Sequence, residues 1–183
     1  LLRQEGTTTV FVTHDRDEAL RLGDRIAVML DGRIHQVGRP SEVFGRPVSE
    51  EVARFVGVET ILPGRVTGEV SGLLTVEVNG TKIQALGDVS IGESVLVCLR
   101  PEDLVIRRRD EPAAPDSARN HLAGRVQEAT PLGAQVRVRI ISEPALGGVI
   151  ALVTKQSFQE LGLESGSPVI VSFKASAVHL IRR

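Results

Sequence analysis

One cysteine, one methionine, five phenylalanines and neither tryptophan nor tyrosine occur among the 183 residues. A lone Cys98 excludes an intrachain disulfide and a cysteine-built zinc site, and it fits a reducing, cytoplasmic setting. Few aromatics leave little to stack on bases or sugars. No apolar run approaches the roughly 18 to 20 residues that span a bilayer, and the first residues lack the apolar stretch of a secretory signal. Charge of one sign is also missing. The 22 basic and 23 acidic residues are interspersed and sum to −1, so no whole-chain field draws a polyanion and nucleic acid is excluded as a partner. What is present is 42% apolar residues with 18 Gly and 9 Pro. That composition favours short Val, Ile and Leu strands joined by turns over a helical bundle, with enough apolar surface for a real core.

Leu1 to Gly6 reads as the last turn of a helix that begins upstream, which makes the chain a portion of a longer protein. Thr7 to Val12 is a β-branched run without polar alternation, the pattern of a strand buried on both faces of a parallel sheet. His14 then falls just beyond the carboxyl end of that strand, where open α/β sheets place ligands. A short helix over 17–22 stops at Gly23. Strands over 25–30 and 33–37 flank Asp31-Gly32, a type I′ hairpin signal. Two short helices follow, over 40–44 and 49–56, the second opened by Ser49 with Glu50 and Glu51 in its first turn. Residues 1–57 therefore form a first, α/β module.

The stretch from Thr9 to Phe44, TVFVTHDRDEALRLGDRIAVMLDGRIHQVGRPSEVF, resembles the final portion of the ATP-binding domain of ABC transporters, and its order resembles that of importer subunits. The resemblance implies that His14 is the switch histidine, contacting the γ-phosphate of an ATP sandwiched between two such domains. On its own, a histidine at such a place is as well read as a turn residue. No GxxxxGK(S/T) phosphate loop occurs in the sequence. The backbone nest and lysine that hold ATP phosphates are thus expected upstream, in a full-length transport ATPase, and this portion alone is not expected to hydrolyse ATP.

From Glu59 the character becomes all-β. Runs over 64–70, 73–78, 81–85 and 93–100 are punctuated by Ser71-Gly72 and Asn79-Gly80 turns and predict a first small OB-like barrel, over 58–107. A charged, Pro-containing linker, 108–116, separates it from a second barrel, 117–183. That barrel has strands over 122–130, 134–141, 149–154, 169–173 and 178–181 and a helix over 155–161. Both units open a strand on Gly-Arg-Val, at 64–66 and 124–126, and carry a Gly before a late Val-rich strand, Gly92 and Gly166. The spacing predicts an internal duplication. The three arginines 107–109 read as a solvated strand exit.

The first barrel, with Val97-Cys98-Leu99-Arg100-Pro101-Glu102 near its end, resembles the TOBE domain of importer ATPases. The second resembles the Mop domain, which binds molybdate or tungstate, through Ser117-Ala118-Arg119-Asn120, Thr154 to Ser157 and Lys174-Ala175-Ser176. A tetrahedral dianion offers only acceptors, so hydroxyls, amides and cations suit it. The resemblance implies a cage from Ser117, Ala118, Arg119, Asn120, Thr154, Ser157, Lys174, Ala175 and Ser176, lying between barrels or subunits. Each has a plainer reading: Thr154 with Ser157 an N-cap, Arg119 a surface cation, Lys174 a strand-end solubiliser. His35, His121 and His179 receive no role.

Together these features imply the carboxyl-terminal part of an ATP-binding subunit of a molybdate or tungstate importer. It would be cytoplasmic and peripheral at the inner face of the membrane, homodimeric and coupled to permease subunits. ATP would be bound only with the upstream half, and the Mop-like barrel would sense internal oxyanion. Two alternatives stay open: a generic sulfate, sugar or polyamine importer subunit with structural barrels, and a stand-alone oxyanion sensor or store.

Overall fold

The computed structural model describes residues 7–111, 116–143 and 146–183. The reading of 1–6 as a helix end, and the centre of the linker, lie outside those residues. The chain divides into two compact units, 1–47 and 48–183, so the boundary falls ahead of the expected one after residue 57.

In the first unit, α1 (Arg16–Leu22) is capped by Asp15, whose carboxylate accepts from the amides of Asp17 at 2.8 Å and Glu18 at 3.1 Å. The hairpin forms as its turn dictates. Asp31 and Gly32, at φ 49° and 73°, join β1 (Ile26–Leu30) to β2 (Arg33–Gly38), the left-handed pair that matches strand twist. Helix α2 (Pro40–Gly45) starts with proline at its first turn and buries Val43. Thr7 to Val12, by contrast, is not a strand: Val10 and Val12 are 89% and 91% exposed. Every strand pair in the described residues is antiparallel. A parallel edge with no neighbour has no ladder to join, so the expected α/β sheet is not seen and this unit is a hairpin with two helices.

The second unit begins with α3 (Glu50–Phe55), capped by Ser49 and burying Val52 and Ala53. Ten strands follow in two five-stranded, OB-like sheets. The first half supplies β3 (Thr60–Val70), β4 (Leu73–Val78), β5 (Thr81–Leu86), β6 (Ser94–Leu99) and β7 (Val105–Arg108). The second supplies β8 (Asn120–Leu132), β9 (Gln135–Ser142), β10 (Gly148–Thr154), helix α4 (Lys155–Glu160), β11 (Pro168–Phe173) and β12 (His179–Arg182). One sheet runs β12-β6-β3-β4-β5 and the other β7-β11-β8-β9-β10.

These orders are identical once halves are exchanged, and they show that each half gives its last strand to the other's sheet. The sheets are thus not built from 58–107 and 117–183 as two sequential barrels. Strand β7, which the sequence reading left partly in the linker, pairs with β11; β12 pairs with β6.

The duplication extends to single bonds. A bulge follows Val66 on β3 and Val126 on β8. Gly92 and Gly166 each donate to the carbonyl of the corresponding valine at 2.8 Å, and Arg65 and Arg125 each reach the corresponding glycine carbonyl. A single apolar cluster runs through both sheets, from Leu74 and Ile83 through Leu99 to Ile140 and Phe173.

Candidate functional site

The strand exchange creates the ground for a site, because it lays β7, β11 and β8 side by side. At one end of these strands three segments meet: the 3-10 turn Pro101–Asp103 ahead of β7, the turn Ala175–Ala177 after β11, and residues 116–118 ahead of β8. Between them lies an open groove of about 500 Å³. Ser117, Ala118, Lys174 and Ser176 line it, as do Ser172 and Phe173 from β11. Four of the nine expected cage residues, from two of the three motifs, are thereby brought together.

The other five sit elsewhere or do other work. Arg119 is exposed and does not line the groove. Asn120 is 3% exposed and its side chain accepts from the Gln84 amide at 2.7 Å and donates to the Gln84 carbonyl at 2.9 Å and to that of Phe173 at 3.4 Å. It fastens the two sheets. Its twin in the first half, Thr60, accepts from the Ile150 amide at 3.1 Å. Ala175 is buried in its turn. Thr154 caps α4, accepting from the Ser157 amide at 3.0 Å and donating to the Ser157 hydroxyl at 2.8 Å. In a single chain this pair is a satisfied N-cap and does not line the groove. His14, in the first unit, is exposed on the turn into α1.

Sequence reasoning missed the groove's acidic side. Glu102, Asp103 and Asp116 line it together with Lys174. Partial desolvation, then the neighbouring Glu102 charge, pushes the Asp103 carboxyl above its ordinary range, with Arg100 opposing. Asp116 accepts from the Ala118 amide at 2.9 Å, so one backbone donor beside Ser117 is already taken. Glu102 was read only as the end of a domain signature and Asp103 was not singled out; that the exchanged strand carries them to the second half's motifs is a property of topology.

Residues 116–180 match the TOBE domain, and the chain is homologous to the carboxyl-terminal regions of ATP-binding subunits of ABC importers. The TOBE match falls on the second half, which the sequence reading took as a Mop-like barrel while giving the TOBE name to the first.

Among particular relatives, the molybdate/tungstate import ATP-binding protein WtpC of Pyrococcus horikoshii is 41% identical over 180 residues, covering 97% of this chain and 48% of that protein. The spermidine/putrescine import ATP-binding protein PotA of Oleidesulfovibrio alaskensis is 35% identical over 182 residues, covering 94% and 48%. The chain spans about half the length of these curated relatives. In fold it is similar to a crystal structure of the cytoplasmic molybdate-binding protein ModG with molybdate bound. That match has TM-score 0.63 and 22% identity and covers 69% of this chain and 97% of that one.

Proposed function

We propose that the chain is the carboxyl-terminal part of the ATP-binding subunit of an importer for molybdate or tungstate, and that the groove over β7, β11 and β8 is its regulatory oxyanion site. The observation that carries the reading is the convergence of Ser117, Ala118, Lys174 and Ser176 on one groove. Hydroxyls and an ammonium are the donors a dianion without protons requires. The 41% identity to a molybdate/tungstate import protein supports the same cargo.

Three carboxylates against one lysine disfavour a dianion in the groove of a single chain. The reading therefore calls for further donors from a second copy, and the outward-facing Thr154 and Ser157 are the residues to supply them. In the intact subunit, ATP would be held by the upstream half, His14 would contact the γ-phosphate, and closure of the homodimer at the inner face of the membrane would drive permease subunits. Oxyanion in the groove would restrain that cycle, a coupling that must act equally in both directions on binding.

Calorimetric titration of the 183-residue chain with molybdate, tungstate and sulfate tests the reading. Micromolar or tighter binding of the first two, abolished in Lys174→Ala and accompanied by dimer formation, is the expected result. Absence of heat for both at every pH would overturn it. The acidic lining also favours a second reading, a polyamine importer subunit, since a groove with Glu102, Asp103 and Asp116 suits a polycation; spermidine heat in place of oxyanion heat would select it.

A further inference from the structure

His121 received no role from its place in the sequence, yet it touches two groove residues at once. Its Nδ1 lies 2.9 Å from the Ser172 hydroxyl, and its Nε2 lies 4.0 Å from a carboxylate oxygen of Asp116. Ser172 faces His121 across β8–β11 and Val105 across β11–β7, so the three form one row, of which Val105 and Ser172 line the groove and His121 stands behind them. Ser172 is 4% exposed, and a hydroxyl so enclosed takes its orientation from its neighbour. The duplicated half supplies an internal comparison: the same row there reads Ile61, Cys98 and His179, with no hydroxyl at its centre. Of the two rows, the one with a serine at its centre is the one beside the groove with Lys174.

Resting on the oxyanion reading above, we propose that His121 is a positioning residue for this site, making anion binding tighten as it takes up a proton. When both ring nitrogens carry protons, Nδ1 donates to the Ser172 oxygen and the hydroxyl proton is released to point into the groove. The same proton adds a positive charge beside Asp116 and offsets one of the three carboxylates. When the ring is neutral and Nδ1 accepts, Ser172 donates to it and turns lone pairs toward the anion. Both effects act in one direction. The other charged groups at the groove are Lys174 after β11, Glu102 and Asp103 ahead of β7, and Asp116; exposed Arg119 stands on the approach to β8. Carboxylates as a class titrate below the window in which imidazole changes charge and ammonium groups above it.

The test titrates sodium molybdate into the 183-residue chain and into His121→Gln from about pH 5.5 to about pH 8, a window that spans the charge change of imidazole. Each is run in two buffers of different ionisation enthalpy, so that proton uptake is read directly. Glutamine keeps a donor for Ser172 but does not titrate. The wild-type association constant is expected to fall about fivefold or more across the window with net proton uptake on binding, against less than about twofold in His121→Gln without uptake. An Asp103→Asn arm removes the raised carboxyl and should leave the wild-type slope in place. Equal slopes in wild type and His121→Gln, or a slope that vanishes in Asp103→Asn, overturn the proposal while leaving the oxyanion site standing; no molybdate binding at any pH overturns the site itself.

Discussion

Asn120 carries more of the fold than its place in an oxyanion motif implied. Its buried amide joins the start of β8 to the Gln84 backbone in the opposite sheet through two bonds. Asn120→Ala leaves the half-buried Gln84 amide and carbonyl without these partners and should cost about 1–3 kcal/mol, read as a lowered denaturant midpoint. Gly124 is the other intolerant position: a Cβ there would stand 2.6 Å from the Ile141 carbonyl oxygen and 2.8 Å from a methyl of Ile140. Gly124→Ala should destabilise by about 1–3 kcal/mol in the same assay, since backbone and packed core do not yield. Asp103 acts with opposite sign. Its carboxyl prefers its proton more in the folded chain than in the unfolded one. The stability this gives is present at low pH and is lost as pH rises through the raised value. Asp103→Asn should therefore raise the melting temperature at neutral pH and leave it nearly unchanged at about pH 3, below the ordinary carboxylate range. A variant that melts lower at neutral pH would show that the carboxylate is engaged by a partner.

At the level of strands, the alternation of buried and exposed residues named nearly every element of the second unit, because a pleat with one wet face writes itself into sequence with period two. The hairpins were equally legible, since Asp31-Gly32, Ser71-Gly72 and Asn79-Gly80 supply the positive φ that I′ turns need. Which sheet a strand joins was not legible. The pattern of Leu180 and Ile181 tells that β12 has a buried side, and nothing in it distinguishes β6 from β11 as neighbour. The site was half legible for the same reason. Ser117 and Ser176 follow from motif residues, while Glu102 and Asp103 enter the groove only because β7 crosses over. Thr7 to Val12 shows the converse: β-branched composition favours a strand, but a strand without an adjacent edge makes no ladder. Ending the chain at Ala177 tests the exchange. Removal of β12 should speed hydrogen exchange of β6 amides, its partners over Val95 to Cys98, and leave β11 protected by β7 and β8. Faster exchange in β11 instead would restore the sequential barrels.

For the second unit as a whole, exchanged strands and a shared apolar cluster mean that neither half holds a complete sheet of its own. β7 and β8, on either side of the expected linker, lie in one sheet, so the two halves interlock through their strands. A groove whose walls come from both halves is sensitive to any change in how they are joined. The consequence for stability is cooperative. Residues 48–183 should unfold in one transition, with coincident curves by circular dichroism and by exposure of Cys98, whose thiol burial pushes up to about 12. A protease site placed between Glu111 and Asp116 sharpens the point. After cleavage the two pieces should remain a single species on gel filtration and refold only when mixed, because each alone offers one sheet of four strands with an open edge and one strand with no sheet. Pieces that separate and fold independently would mean that the exchange contributes little, and the groove formed by it would then have to be rebuilt from one half.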